Sequence, residues 1–282
     1  MKIRAIFLSI VTDEREPLEG SRRGGNSERL KESVHQSARD WPKMFRALIL
    51  LLATIAFGIA PFVTAPFSGY ATGMFPVEIP DPAIQPAGYA FSIWSIIYTW
   101  LIVHAVYGLW KRSESLAWDA VRLPLALSVA IGAVWLGIAN GYPIIATVAI
   151  WVMLGAALLA FLRADPITDR WLLSAPTAIY AGWLSAAAAV SLGVVLAGYG
   201  WLSDTGSAVA MLGLVLVVAV SVQMRRPRMP VYGLTVIWAL AGVIVTNWGT
   251  NTTVAAIAAS GIVIMAITLA TASRRPLTPP AA

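Results

Sequence analysis

Apolar residues along this chain fall into long runs that are separated by short polar breaks. A helix needs roughly twenty apolar residues to cross about 30 Å of hydrocarbon at 1.5 Å per residue. Eight runs reach this length or come close to it. They cover residues 44–66, 87–110, 122–140, 143–163, 171–197, 207–224, 231–248 and 252–271. The pattern therefore predicts an all-α fold, a polytopic membrane helix bundle with eight transmembrane helices.

The positions of the Lys and Arg residues support this number of spans. Basic residues favour the cytoplasmic side of a membrane protein. The first, third, fifth and seventh loops contain no Lys or Arg. After the first helix, every Lys and Arg lies in one of the other loops, at a helix edge beside such a loop, or at the end of the last span. These residues are Lys111, Arg112, Arg122, Arg163, Arg170, Arg225, Arg226, Arg228, Arg274 and Arg275. This alternation predicts that both termini lie in the cytoplasm.

The composition agrees with a lipid environment and narrows the function. Hydrophobic residues make up 58% of the chain and charged residues 12%, whereas soluble domains carry about 25% charged residues. The net charge of +6 is explained by membrane orientation, so no nucleic-acid partner is expected. The chain has no cysteine, which excludes disulfides, thiolate metal sites and thiol nucleophiles.

The chain begins with a polar segment of mixed charge, residues 1–42. We interpret it as a disordered cytoplasmic tail, and residues 275–282 as a second cytoplasmic tail. The first apolar run is too short for a secretory signal and no cleavage site follows it. An alternative is that the protein starts at Met44, in which case residues 1–43 are not part of it.

Small residues are expected where helices approach each other in lipid, because packing there cannot rely on hydrophobic burial. The fifth predicted span carries such residues at four-residue spacing, and the third span ends with a similar pair. These positions are Ala181, Ser185, Ala189, Gly193 and Ala197, with Gly137 and Gly141. We interpret them as packing seams and not as functional sites.

The residues that common catalytic chemistry requires are missing from the predicted spans. No Asp or Glu lies inside a span, which disfavours proton-coupled carriers and pumps. The sequence also lacks HExxH and a Gly-rich phosphate loop. We therefore expect no enzyme activity and no metal site. His104 is the one intramembrane histidine, and it is expected to hydrogen-bond a neighbouring helix; contact with a ligand, or an axial bond to a metal or haem, are the alternatives.

Many aromatic residues lie inside the predicted spans and not at their ends. Most of them fall between the outer interface and the midplane, and Trp94 and Tyr98 share one helix face because they are four residues apart. Such rings could fill gaps between helices, with their N–H and O–H groups on backbone carbonyls. They could instead line a cavity for a flat apolar ligand. The proline-rich loop at residues 67–86, the longest outer loop, would then be its lid.

The segment from Pro86 to Tyr98 resembles the signature of the TspO family, also called tryptophan-rich sensory proteins or translocator proteins. In that family a proline-rich loop enters the second helix and a Trp and a Tyr follow four residues apart, as Trp94 and Tyr98 do here. Pro176, Tyr180 and Trp183 resemble the pattern of the fifth helix. The likeness covers residues 44–197, and we expect the last three spans to lie beyond it.

This resemblance implies a five-helix bundle over residues 43–198, followed by three additional helices over residues 199–274. It also implies a bacterial cytoplasmic (inner) membrane, membrane lipid as a partner and a homodimer. Members are associated with porphyrins, haem precursors and sterol-like molecules. No cofactor is certain, and a porphyrin or haem-like molecule is the expected ligand.

The leading hypothesis is therefore an integral membrane protein that binds a planar tetrapyrrole-like ligand and has a sensory or regulatory role. A facilitator or permease for a small amphiphile is the alternative, and enzymatic modification of porphyrins is a weaker third. The ligand-binding residues predicted for the leading hypothesis are Trp94, Tyr98, Trp135, Tyr180 and Trp183 as stacking rings, Trp151 as their neighbour, and Phe75 and Pro86 as the roof.

Overall fold

The chain folds into eight α-helices and one short 3-10 turn, in a computed structural model that describes residues 23–65, 67, 69–71 and 73–274. All eight helices contain a segment long and apolar enough to cross a membrane. The prediction of an all-α, eight-span bundle is thus confirmed. The helices are α1 (Arg23–Val63), α2 (Ile93–Arg112, preceded by the 3-10 turn Gly88–Ser92), α3 (Leu116–Ala139), α4 (Pro143–Arg163), α5 (Ser174–Gly198), α6 (Asp204–Arg225), α7 (Pro230–Asn247) and α8 (Thr252–Ser273).

The chain divides into two compact units, residues 1–42 and residues 43–282. Within the first unit the backbone is helical from Arg23 onward, in a segment that was predicted to be a disordered tail. Glu28, Leu30 and Lys31 are among the stronger helix formers, which favours this outcome. The remainder of that predicted tail, residues 1–22, and the predicted tail at residues 275–282 lie outside the described residues.

Helix α3 begins at Leu116, more than one and a half turns before the predicted start of this span at Arg122. The position of Arg122 explains the difference, because its side chain is buried. Its guanidinium donates hydrogen bonds to the carbonyl oxygens of Arg112 at 2.7 Å and Ser113 at 2.8 Å. These carbonyl groups lie at the C-terminal end of α2, where the helix supplies no N–H group to bond them. A buried cation is tolerated when its donors are paired in this way.

Helix α5 lies at the centre of the bundle and contacts α2, α4, α6 and α7. In its most apolar window, 72% of the residues are buried. A Cβ added to Gly182 would lie only 2.8 Å from the Tyr232 carbonyl oxygen, so α5 and α7 approach through a glycine. The predicted seam on α5 is confirmed by the burial of Ala181, Ser185 and Ala189.

The second predicted seam is wrong. An added Cβ at Gly137 or Gly141 would meet no atom within 4 Å, so neither glycine allows a close helix contact. Both lie at the end of α3, where the chain turns towards α4 and no third helix approaches them.

Arginine side chains hold together the end of the bundle that carries the basic loops. Arg112 forms an ion pair with Asp169, with 2.7 Å between Nε and the carboxylate. This hydrogen bond holds the pKa of Asp169 below its usual range, and a second bond from the Trp118 indole acts in the same direction. Arg226 donates to the carbonyl oxygens of Leu162, in the last turn of α4, and of Ala164, directly after its end.

At the opposite end, helices α6 and α7 hold the segment that leads from the proline-rich loop into α2. We call residues 82–90 the inner strap. The Asp204 carboxylate accepts from the Ala83 backbone N–H at 3.1 Å, and the Asn247 amide donates to the Ala83 carbonyl at 2.7 Å. Ala87 N–H donates to the Gly242 carbonyl at 3.1 Å. Two of the last three helices, α6 and α7, therefore contribute directly to the fixed position of this strap.

Candidate ligand-binding cavity

A cavity of about 610 Å³ lies beneath the proline-rich loop. Sites for drug-sized ligands typically measure about 300–1,000 Å³. Along α5 the wall extends from Gly198 to Trp183, a length of about 22 Å at 1.5 Å per residue. The cavity thus reaches from the end of the bundle that carries the proline-rich loop well into its apolar part. Helices α1 to α5 and the loop all contribute to its lining.

Four aromatic rings from three helices form the floor of the cavity. Trp94 and Tyr98 on α2 are stacked with their ring centres 5.3 Å apart and an angle of 18° between the planes. Phe57 on α1 meets Tyr98 edge-on at 4.9 Å. Trp183 on α5 meets Trp94 edge-on at 6.1 Å. Stacked and edge-on contacts of this kind are the favoured arrangements of aromatic pairs.

A second group of aromatic rings forms the roof. Phe67 lies edge-on to Trp135 at 5.6 Å and to Tyr70 at 5.1 Å, and Tyr70 in turn meets Phe75 at 5.3 Å. Phe75 rests directly on α5, because a Cβ added to Gly198 would lie 2.5 Å from its ring. The loop is thus attached through ring contacts to α3 and α5, as expected of a lid.

Six of the eight residues predicted to form the site line this cavity. They are Phe75, Pro86, Trp94, Tyr98, Trp135 and Trp183. Tyr180 does not line it, because its side chain is fully buried and its hydroxyl accepts a hydrogen bond from Ser128 on α3. Its ring lies behind Phe57, at a centre-to-centre distance of 5.7 Å. Trp151 is also absent from the lining and packs against the core from α4.

Phe57 and Gly132 belong to the cavity wall, and sequence reasoning missed both. A Cβ added to Gly132 would lie 2.5 Å from the Phe57 ring, so α3 accommodates this ring only because the position is glycine. Phe57 is one of many large apolar residues on α1, and nothing in the spacing distinguishes it from those that face lipid. The one available signal was its depth, which matches that of Trp94 across the bundle.

Several Trp indoles behave as the gap-filling interpretation predicts. The N–H of Trp100 donates to the Trp171 carbonyl at 2.9 Å, that of Trp135 to the Ala146 carbonyl at 2.9 Å, and that of Trp238 to the Ala90 carbonyl at 2.9 Å. The Trp183 N–H is different, since it is buried and has no partner among the described residues. Both interpretations of the aromatic residues therefore hold: some rings fill gaps between helices, and others line the cavity.

The polar groups of the lining are few and mostly uncharged. The amide of Gln85 and the hydroxyls of Tyr70 and Ser191 belong to it. Burial raises the pKa of Tyr70, and hydrogen bonds to Ser191 and Thr147 partly offset this effect. Glu78 contributes the only charged side chain within the described lining. The wall is thus suited to a largely apolar molecule with a small polar part.

His104 takes no part in the cavity. Its imidazole is fully buried and stacks on Trp118 with ring centres 4.8 Å apart. Nδ1 lies 2.7 Å from the Leu172 carbonyl oxygen, which can only accept, so Nδ1 carries a proton. Of the three alternatives, the structure has the hydrogen bond, although its acceptor lies in the turn before α5 and not in a helix. No group of three or more metal-ligating residues occurs in the part of the chain that the structure describes.

A comparison with models of protein families identifies a family to which this chain is similar. The model of a family described as TSPO-like protein matches residues 44–271. The match covers all eight transmembrane helices, so the expectation that the last three lie beyond the resemblance is wrong. No curated protein and no solved structure matches the chain.

Proposed function

The chain belongs to the family of TSPO-like proteins, and we propose that it is a membrane receptor for a flat, largely apolar ligand of the tetrapyrrole type. The ligand occupies the aromatic cavity between α1, α2, α3 and α5, and its binding has a sensory or regulatory role in a bacterial cytoplasmic membrane. One observation carries this proposal: a cavity of about 610 Å³ that has aromatic rings in both its floor and its roof.

The arrangement of the rings favours a planar molecule. The stacked pair Trp94 and Tyr98 offers a broad apolar surface, and Phe67 and Phe75 from the proline-rich loop belong to the same lining. A ring system placed between them buries apolar area on both faces, at about 25 cal/mol per Å². The indole N–H of Trp183 is buried without a partner among the described residues. A hydrogen-bond acceptor on the ligand could accept from this N–H.

The test is a titration of the purified protein with the neutral dimethyl ester of protoporphyrin, followed by the Soret absorbance of the ligand. We expect saturable binding to the wild-type protein. Trp94→Ala and Trp135→Ala should each weaken it about tenfold or more, because truncation of a buried aromatic contact typically costs over 1 kcal/mol. Trp248→Ala is the matched control, since Trp248 is 79% exposed and outside the cavity, and its affinity should equal that of the wild type. Linear uptake, or equal affinities in all four proteins, contradicts the proposal.

A facilitator for a small amphiphile is the competing function. Tyr180 and Ser128 are hydrogen-bonded at 3.0 Å and fully buried behind the floor, which supports a closed receptor site over a conduit. Counterflow in proteoliposomes separates the two functions. A receptor gives saturable binding without exchange of labelled ligand, whereas exchange at a rate above that of empty liposomes favours transport.

Binding without chemical conversion is part of the same proposal, as is association into a homodimer within membrane lipid. Recovery of unchanged ligand after prolonged incubation under light supports the first. Two chains per particle, measured by mass photometry in lipid nanodiscs, would support the second.

A further inference from the structure

The charges around the cavity are all negative. We infer that the cavity selects ligands by charge, and that it prefers a flat apolar molecule with a cationic polar end over the same molecule with carboxylates. This inference rests on the proposed function, because it assumes that a flat ligand enters the cavity. It names the chemical class of that ligand as a planar apolar amine or other organic cation.

The first observation is that the four loops at the cavity end contain no basic residue. The four loops at the cavity end, residues 64–86, 140–142, 199–203 and 248–251, contain no Lys, Arg or His. They and the adjoining first residue of α6 contain three acids instead, which are Glu78, Asp81 and Asp204.

The second observation is that the three carboxylates lie together beside the cavity. A hollow of about 550 Å³ next to it is lined by Glu78, Asp81 and Asp204, and it shares Glu78, Ile79 and Pro80 with the main cavity. Glu78 accepts from the Gly73 backbone N–H at 2.6 Å, and Asp204 accepts from the Ala83 backbone N–H. None of the three forms an ion pair with a described residue. Their negative charge is therefore uncompensated.

The third observation concerns the inside of the cavity. Glu78 is the only charged side chain in the described lining, so a ligand carboxylate would find no cation there. A carboxylate in a largely apolar site without a positive partner is strongly disfavoured. A cation instead has Glu78 in the lining, together with the aromatic rings of Trp94 and Tyr98, and such rings attract positive charge through their quadrupoles. Clefts bordered by one sign of charge also concentrate ligands of the opposite sign.

Three porphyrins that differ only in their side-chain ends test the inference. They are protoporphyrin with two carboxylates, its neutral dimethyl ester, and its diamide with two terminal ammonium groups. Titrations at low salt in an uncharged detergent should give the tightest binding for the diammonium form and the weakest for the dicarboxylate. A unit charge about 4 Å away in water changes affinity about fivefold, so the two extremes should differ by about tenfold or more. Addition of 1 M salt should reduce the difference, because it shortens the screening length to about 3 Å.

The variant Glu78→Gln assigns the effect to the cavity entrance. Glu78 is exposed and its amide replacement can still accept from Gly73, so the fold should be unaffected, which the melting temperature checks. We expect the diammonium ligand to bind about threefold to fivefold more weakly and the dicarboxylate more tightly by a similar factor. Glu114→Gln is the matched control, because Glu114 is an exposed acid in the loop between α2 and α3, at the opposite end. It should leave all three affinities unchanged.

Each result decides a different point. The expected order, with a smaller spread in Glu78→Gln only, supports charge selection. Equal binding of the three porphyrins, or tighter binding of the dicarboxylate, overturns the inference and leaves the proposed receptor function standing. If none of the three binds, the proposed function itself fails, and charge selection fails with it.

Discussion

A single contact between Phe57 and Gly132 determines the shape of the cavity floor. The ring occupies the space where a side chain on α3 would begin, because an added Cβ would lie 2.5 Å from its Cε2 atom and 2.8 Å from its Cδ2 atom. Phe57 also makes the edge-on contacts to Trp94 and Tyr98. Displacement of this one ring would therefore disturb the whole floor.

We predict that Gly132→Ala weakens ligand binding about tenfold and lowers the free energy of unfolding by about 1–3 kcal/mol, as overpacking in a dense core typically does. Gly155→Ala on α4 is the control, because an added Cβ there meets no atom within 4 Å. Since alanine is the better helix former, this control should be neutral or stabilising by up to about 1 kcal/mol. The measurements are porphyrin titration and denaturant unfolding in mixed micelles. Unchanged binding in Gly132→Ala would show that the ring position does not matter.

Individual residues could be predicted from the sequence only where spacing restricts them. Trp94 and Tyr98 share one helix face at any rotation of α2, so their proximity followed from the four-residue interval. Tyr180 and Trp183, three residues apart, were assigned to the same site, yet Trp183 lines the cavity while the Tyr180 hydroxyl accepts from Ser128. Spacing does not reveal which neighbour a helix face meets, and this is why Tyr180 and Trp151 were misplaced.

At the scale of elements, α7 fixes the inner strap through Asn247. Its amide donates to the Ala83 carbonyl at 2.7 Å and to the Val243 carbonyl at 2.8 Å, and the residue is 2% exposed. Removal of a buried donor leaves its acceptor unsatisfied and costs about 1–3 kcal/mol.

We predict that Asn247→Ala increases amide hydrogen exchange in the inner strap, residues 82–90, about tenfold, which corresponds to 1.4 kcal/mol of local stability. Ser221→Ala on α6 is the control, because its exposed hydroxyl bonds to the Val217 carbonyl of the same helix and not to a group that holds the strap. Exchange in α4 should be unchanged in both variants. Equal exchange of the strap in wild type and Asn247→Ala would mean that α7 does not hold it.

Element boundaries could be predicted well where a charge marks a helix end, and poorly where the charge is buried. The fourth span matches the structure at both ends, Pro143–Arg163. The third does not, because Arg122 was interpreted as an interfacial residue although it lies inside the bundle and serves the end of α2. A sequence does not distinguish a solvated arginine from one that is paired with backbone carbonyls.

For the whole molecule, the distribution of basic residues predicts an orientation that cysteine labelling can test. The chain has no native cysteine, so one introduced thiol reports one position. Thr250→Cys lies in the loop between α7 and α8, and Glu114→Cys in the loop between α2 and α3; both positions are exposed. With both termini in the cytoplasm, a membrane-impermeant maleimide should label Thr250→Cys in intact cells and Glu114→Cys only after lysis. The reverse pattern would invert the topology.

The dependence of the inner strap on α6 and α7 has a consequence for how the protein is made. Ribosomes add about 5–20 residues per second, so several seconds pass between the synthesis of Ala83 and that of Asn247, its hydrogen-bond partner. Near the end of this interval α1 to α5 have been synthesised, but Tyr232, which later meets the Gly182 face of α5, has not. The inner strap therefore gains its α7 contacts only after the five helices that line the cavity have been made, and a nascent chain released before α7 would lack this anchor.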